Sequence, residues 1–209
     1  MMARTSEQFY NELGFEGMSE LKTEERTNKE LAYLKGLLRS GQHILDLGCG
    51  YGRYTIPLAE MGFEIDGIDL TPSLVSKARS IAKEHNLKVS FTIGDMRSLP
   101  FPNESYDVII CMWNTFSELY ELVDQNRAIE EMLRVLRNYG FAIIEVRNHR
   151  ASGVDQNYKI EGIDGMPSFR HTKKSLKELM TNLKIRNYKV FVDVFGGRNR
   201  LFLQFYKGS

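Results

Sequence analysis

The chain has 209 residues, 42% hydrophobic and 26% charged, enough apolar content for one α/β domain and too much for a disordered chain. Its formal net charge of +1 argues against a nucleic-acid binder that works by bulk charge. Cys49 and Cys111 form no CxxC pair, residues 1–10 lack the apolar core of a secretory signal, and no apolar run approaches the roughly 20 residues of a membrane span. A reducing, cytoplasmic setting is therefore expected.

Residues 1–25 are read as an N-terminal lid or docking segment, with Phe9, Tyr10 and Phe15 as its apolar contacts. From 30 to 38, Leu31, Leu34, Leu37 and Leu38 recur at helical spacing, and Ser40-Gly41 ends the helix. A short apolar strand follows at 43–47, then a helix at 53–61 with Pro57 near its first turn, where a missing N–H costs little. Residues 63–70 read as strand, and Thr71-Pro72 opens a helix to about 85. Strands are predicted at 88–93, 106–112 and 141–146, with a helix at 125–137 carrying Ile129, Met132, Leu133 and Leu136 on one face. A last helix at 172–183 precedes two strands, 189–195 and 198–206, joined across Gly196-Gly197 as an antiparallel hairpin. Alternating helices and near-continuous apolar strands indicate a mostly parallel sheet covered on both faces, with an antiparallel tail.

Between the first two strands lies "ILDLGCGYGRYTIPLA", with Gly48, Gly50 and Gly52 on alternate positions. Glycines in a strand-to-helix turn permit positive φ and let a ligand approach the main chain. Arg53 stands where the third glycine of a dinucleotide fingerprint belongs, and the G-K-[ST] of a P-loop is absent. Asp69 ends the second strand, where a carboxylate can accept ribose hydroxyls, and Asp95 ends the third, where it can accept from an exocyclic amine. Each acid alone reads equally well as a helix cap. All three features on one edge of an open α/β sheet point to a nucleoside site.

These motifs, with "GIDLTPSLVSKAR", "GDMRSLPF", "SYDVIICMWNTFSEL" and "HTKKSLKELM", resemble the class I S-adenosylmethionine-dependent methyltransferases from about Arg26 to the C-terminus. The resemblance implies a Rossmann-like seven-stranded sheet of order 3-2-1-4-5-7-6, strand 7 antiparallel, with helices on both faces. It implies that the Gly48 and Gly50 backbone follows the methionine part of S-adenosylmethionine and that Asp46 orients its ammonium. Asp69 would hold the ribose, Leu70 and Met96 the adenine faces, and Asp95 the adenine amine, with Cys111 bordering the cofactor at the end of the fourth strand. S-adenosylhomocysteine would be the product. "LRNYG" departs from the Pro-Gly-Gly turn of many members, at a surface turn.

The acceptor pocket is expected past the fourth strand, near 111–117, and past the fifth, near 147–150. The [DNS]-P-P-aromatic box of amino-methylating DNA enzymes is absent, Cys111 lacks the Pro-Cys setting of RNA cytosine enzymes and reads as a buried small hydrophobe, and the acid cluster of metal-dependent enzymes is not found, so no metal is expected. "ICMWNTFSEL", "IIEVRNHR" and "ERTNKELAYLKGLL" are similar to segments of glycine N-methyltransferases. That resemblance implies that Asn114 and Arg147 hold the carboxylate of a small amino acid and that Arg26 binds the cofactor carboxylate, a pairing that suits a planar guanidinium. Trp113 is read either as an acceptor platform or as a core plug. His149 and Tyr158 fall in 149–168, a stretch read as a substrate-covering insertion. The basic residues from Arg170 to Lys189 read as a solvated helix face or, alternatively, an RNA-facing patch. The expected function is methyl transfer to a small-molecule acceptor, with an amine bearing a carboxylate favoured; an RNA or protein methyltransferase, or a non-catalytic cofactor-binding protein, are the alternatives.

Overall fold

Seven strands build the central sheet of the computed structural model, which describes residues 5–20, 23–148, 159–161 and 167–208. They are β1 (His43–Leu47), β2 (Glu64–Asp69), β3 (Phe91–Ile93), β4 (Tyr106–Cys111), β5 (Leu136–Arg147), β8 (Tyr188–Phe195) and β9 (Arg198–Tyr206), in spatial order β3-β2-β1-β4-β5-β9-β8. Counted in chain order within this sheet, that is 3-2-1-4-5-7-6. The first five strands pair in parallel, and β9 runs antiparallel to both β5 and β8. β6 (Lys159–Glu161) and β7 (Pro167–Phe169) form a separate antiparallel pair that the sequence pattern does not reveal. Most of the expected insertion at 149–168, with His149 and Tyr158, lies outside the described residues.

The helices are α1 (Ser6–Glu20), α2 (Glu24–Leu37), α3 (Thr55–Glu60), α4 (Pro72–Glu84), α5 (Leu122–Val135) and α6 (Lys173–Asn182). α5 buries Ala128, Ile129, Met132 and Val135, a single stripe at i, i+1, i+4 and i+7, in the same apolar cluster as Leu176 and Met180 of α6. On the other face, Leu31 and Leu34 of α2 pack with Ile44, Ile110 and Phe202. Each fully buried Leu or Ile contributes about 1.5–3 kcal/mol, so a charge at Ile129 would break the α5 docking.

Three elements differ from their predicted extents for local reasons. α2 begins at Glu24 because the Thr23 hydroxyl caps it, accepting from the Arg26 N–H at 3.3 Å. α3 begins only at Thr55 because residues 49–52 are still turning, with the Gly52 N–H bonded to the Cys49 carbonyl at 3.0 Å. The "LRNYG" turn is an outward loop within β5: Tyr106 pairs with Leu136 but Val108 with Phe141, leaving Tyr139 at φ 64° and 76% exposed. The strand order reverses between β1 and β4, and the crevice beyond their carboxyl ends is the position for a ligand in an open α/β sheet.

Candidate functional site

A cavity of about 280 Å³ opens at that crevice. Its floor is the turn after β1. Gly48 adopts φ 72°, and a Cβ there would lie 2.3 Å from Thr115 Cγ2, so a side chain would force the loop off the segment after β4. Gly50 has a different reason to be bare. It adopts φ 56°, and a Cβ there would meet nothing nearer than Leu74 at 3.9 Å, so the open space faces the cavity. The Gly50 N–H donates to Asp69 Oδ2 at 2.8 Å and the Thr71 N–H donates to Oδ1 at 2.8 Å. Asp69 therefore ties the glycine turn to the start of α4 while lining the cavity. Asp46, 1% exposed, lies beneath and accepts from the Thr55 hydroxyl at 2.7 Å.

Asp95 lines the far end with Met96 and Leu70. Arg97 donates to both Asp95 oxygens, at 3.0 and 2.9 Å, and to Asp124 at 2.9 Å. Burial pushes the Asp95 carboxyl up, but the Arg97 hydrogen bonds and charge outweigh it and hold the group below the usual carboxylate range.

The opposite wall comes from α1 and from a single 3₁₀ turn, Thr115–Glu118. α1 packs on α4 and on the glycine turn: Ser73 of α4 donates to Asn11 at 2.7 Å, and Phe15 meets Tyr51 of the turn edge to face at 5.1 Å. This places the Tyr10 hydroxyl 2.7 Å from Glu118 Oε1, to which it donates. Burial is the main reason that the Glu118 carboxyl is pushed up to about 7 and the Tyr10 hydroxyl well above its ordinary value.

Between these walls, the chain leaves β4 through two consecutive residues at positive φ, Trp113 at 66° and Asn114 at 67°. Backbone of this kind is rare for residues with side chains and must be over-determined by its surroundings. Glu145 of β5 supplies one brace, accepting from the Trp113 N–H at 2.7 Å while its other oxygen pairs with Arg200. The Asn114 carboxamide supplies another, accepting from the Arg147 N–H and the Ser117 hydroxyl, both at 2.9 Å. The guanidinium groups of Arg26 and Arg53 lie 5.0 and 4.8 Å from the centroid of the Trp113 ring. Both guanidiniums share Glu30, which is 0% exposed and also accepts from the Tyr54 hydroxyl at 2.8 Å.

The sequence-derived residues divide into two groups. Asp46, Gly48, Gly50, Asp69, Leu70, Asp95, Met96 and Trp113 line the one cavity. Cys111 has no surface there: it is 0% exposed within the apolar cluster on the α5 face, and burial pushes its thiol up. Asn114 and Arg147 stand just behind the wall, Asn114 spent on bracing backbone and Arg147 exposed, its charge acting on the Tyr10 hydroxyl. Arg26 is turned toward Glu30, and the guanidiniums that line the cavity are Arg53 and, beside Asp95, Arg97. Glu30, Arg53, Glu118 and Glu145 are absent from the sequence-derived set, and Tyr10 entered it only as an apolar contact of the N-terminal lid. Glu30 left one trace, a carboxylate at i−4 to Leu34 within the apolar stripe of α2. Nothing in the linear sequence marks Glu118.

A profile of the methyltransferase domain matches residues 44–140, the segment that carries the glycine turn, Asp69 and Asp95. Over those residues, a little under half of the chain, the sequence is similar to the methyltransferase domain. The uncharacterized methyltransferase YcgJ of Bacillus subtilis is 33% identical over 103 residues, 49% of this chain and 39% of that protein. A glycine/sarcosine/dimethylglycine N-methyltransferase of Actinopolyspora halophila is 27% identical over 162 residues, 69% of this chain and 29% of its own length. The chain thus spans well under half the length of the curated relatives it matches. The fold is shared with a SAM-dependent methyltransferase from Aquifex aeolicus, at a TM-score of 0.70 and 20% identity, covering 91% of this chain and 97% of that one. Among the described residues no helix is long and apolar enough to cross a membrane, and no group of three or more His, Cys, Asp or Glu side chains is placed to hold a metal.

Proposed function

We propose that the chain transfers a methyl group from S-adenosylmethionine to a small acceptor, an amine bearing a carboxylate. The observation that carries the reading is the convergence of Gly50, Asp69 and Asp95, from three successive strand ends, on one cavity that also contains Trp113. The residues present fit the cofactor: the open space at Gly50 admits a ligand against the main chain, and the Asp69 carboxylate, fixed by the Gly50 and Thr71 N–H groups, lines the same cavity. Arg26 and Arg53, two cations sharing the Glu30 carboxylate, leave an excess of positive charge beside the cavity suited to a carboxylate.

When bound, S-adenosylmethionine supplies a methyl group already activated on a sulfonium. The protein's part is to orient and to exclude water. Asp69 and the Gly50 backbone fix one end of the ligand. α1 covers the other wall through Tyr10 and Ser6, which supports reading residues 1–25 as a lid over a domain that runs from 26 to 209. Trp113, held by Glu145 and by two guanidiniums, is a fixed surface for an acceptor to rest against. Arg147 stands at the end of β5 near Tyr10, within reach of the rim, where it would hold the acceptor carboxylate with Asn114 keeping its backbone in place. The similarity to the Actinopolyspora enzyme supports an amine acceptor of this kind.

The test is transfer of labelled methyl from S-adenosylmethionine to glycine, sarcosine and carboxylate-free amines, with hydroxyl acceptors alongside. Transfer to the amino acids is expected. Arg147→Ala should raise the acceptor KM about tenfold or more and leave S-adenosylhomocysteine affinity within about threefold, the signature of lost acceptor binding. Transfer only to hydroxyl acceptors, or an effect of Arg147→Ala on the cofactor alone, would overturn the acceptor assignment.

A further inference from the structure

Five carboxylates line the cavity: Asp46, Asp69, Asp95, Glu118 and Asp124. Four have evident work. Asp46 holds Thr55, Asp69 holds two backbone N–H groups, and Asp95 and Asp124 share Arg97. Glu118 differs in kind. Its partners are two hydroxyls from α1, Tyr10 and Ser6, and no cation pairs with it among the described residues. It sits on the wall of the cavity, with Tyr10 and Ser6 lining the same wall. The charged and titratable groups around it are Asp69 from β2, Glu145 and Arg147 from β5, the Cys111 thiol from β4, and His171, which follows β7 and stacks on Phe116 at 5.4 Å. Of the positive groups, Arg147 is near enough to act on the Tyr10 hydroxyl but makes no ion pair with Glu118, and Arg53 is committed to Glu30.

A half-buried carboxylate on a cavity wall, held by two hydroxyls and by no paired cation, is suited to receive a cation from the ligand. We propose that Glu118 is the cavity's anionic receptor for an organic cation, an ammonium or a sulfonium, and that it gives up its proton to the surrounding buffer as that cation arrives. The ligand is drawn in by a charge that its own arrival completes. The inference rests on reading the cavity as the S-adenosylmethionine site. The raised carboxyl supports it: near neutral pH the empty site holds Glu118 partly protonated, and a cation alongside returns it to the ionised form. Tyr10 and Ser6 belong to α1, so the same carboxylate links cation binding to the covering helix.

The experiment is calorimetry at pH 7 in two buffers of different ionisation enthalpy, which counts protons released on binding. The first arm compares S-adenosylmethionine with S-adenosylhomocysteine, which differ in the sulfonium charge. The second adds methylammonium, then glycine, to the S-adenosylhomocysteine complex. The expected result is release of about half a proton in one arm, identifying sulfonium or ammonium as the source, and none in Glu118→Gln. That variant should keep S-adenosylhomocysteine affinity within about threefold and lose roughly tenfold for the cation that releases the proton. Tyr10→Phe removes a hydrogen bond from the carboxylate and should move the release to higher pH. Equal proton release by wild type and Glu118→Gln in both arms would overturn the inference. Failure of wild type to bind S-adenosylhomocysteine at all would instead sink the reading of the cavity on which it stands.

Discussion

Asp69 does two things with one side chain: it pins the glycine turn through Gly50 and lines the cavity. Asp69→Ala is expected to weaken S-adenosylhomocysteine binding by about 1.5–3 kcal/mol, the scale of hydrogen bonds to a charged group, as read by calorimetry. Affinity equal to wild type would remove Asp69 from the ligand. Gly48 and Gly50 part company in the same way. Gly48→Ala drives a Cβ to 2.3 Å from Thr115 Cγ2 and should unfold the protein about 1–3 kcal/mol more readily in urea. Gly50→Ala meets no protein atom closer than 3.9 Å, so beyond the cost of its positive φ it should act chiefly on ligand binding. Similar stability losses with unchanged binding in both variants would contradict this division.

At the scale of elements, the turn between β8 and β9 reaches back to the site. Gly196 and Gly197 adopt φ 57° and 76°, the pair of positive values a two-residue hairpin demands. A Cβ on Gly196 would lie 2.4 Å from Glu30 Oε1, whereas one on Gly197 meets nothing within 4 Å. Glu30 has little freedom to yield, since Arg26, Arg53 and Tyr54 all donate to it. Gly196→Ala should therefore cost at least about 1 kcal/mol more than Gly197→Ala in chemical unfolding, because it presses on a buried ion cluster. Equal costs would mean that the hairpin and α2 are not coupled. What the sequence revealed follows the same geometry. Strand-end groups were legible because each is local: the glycine turn, Asp69 and Asp95 sit at the close of apolar runs, and a parallel sheet gathers those ends on one edge. The far wall was not. Tyr10 and Glu118 are 108 residues apart, and Trp113 and Glu30 are 83 apart, so only the folded chain brings them together. The two strands β6 and β7, three residues each, are too short to leave a periodic signal.

For the whole molecule, the seven-strand order concentrates buried charge near the switch point, and that has a thermodynamic consequence. Glu118 is raised to about 7 in the fold, and burial also raises Glu145 despite its Arg200 partner. The folded state then binds more protons than the unfolded chain between about pH 4.5 and 7, so stability falls as pH rises across that window. For Glu118 the effect amounts to roughly 3 kcal/mol. Urea unfolding at pH 5, 6 and 7 should show wild type losing stability relative to Glu118→Gln, and parallel curves for the two proteins would contradict the burial argument. The alternation of apolar strands foretold a mostly parallel sheet with an antiparallel end, because those depend on patterns that run along the chain; the strand order was implied only by the resemblance to the class I methyltransferases. The charge balance inside the crevice depends on which side chains meet across it.

The proposed function requires that an adenosyl ligand lie along the Gly48–Gly50 turn between Asp69 and Asp95. A crystal structure of the protein with S-adenosylhomocysteine tests it most directly. The expected result is a ribose within hydrogen-bonding distance of Asp69, the adenine between Leu70 and Met96 with its amine toward Asp95, and the amino-acid end beside Arg53. A ligand bound elsewhere, or one whose ribose makes no contact with Asp69, would contradict it.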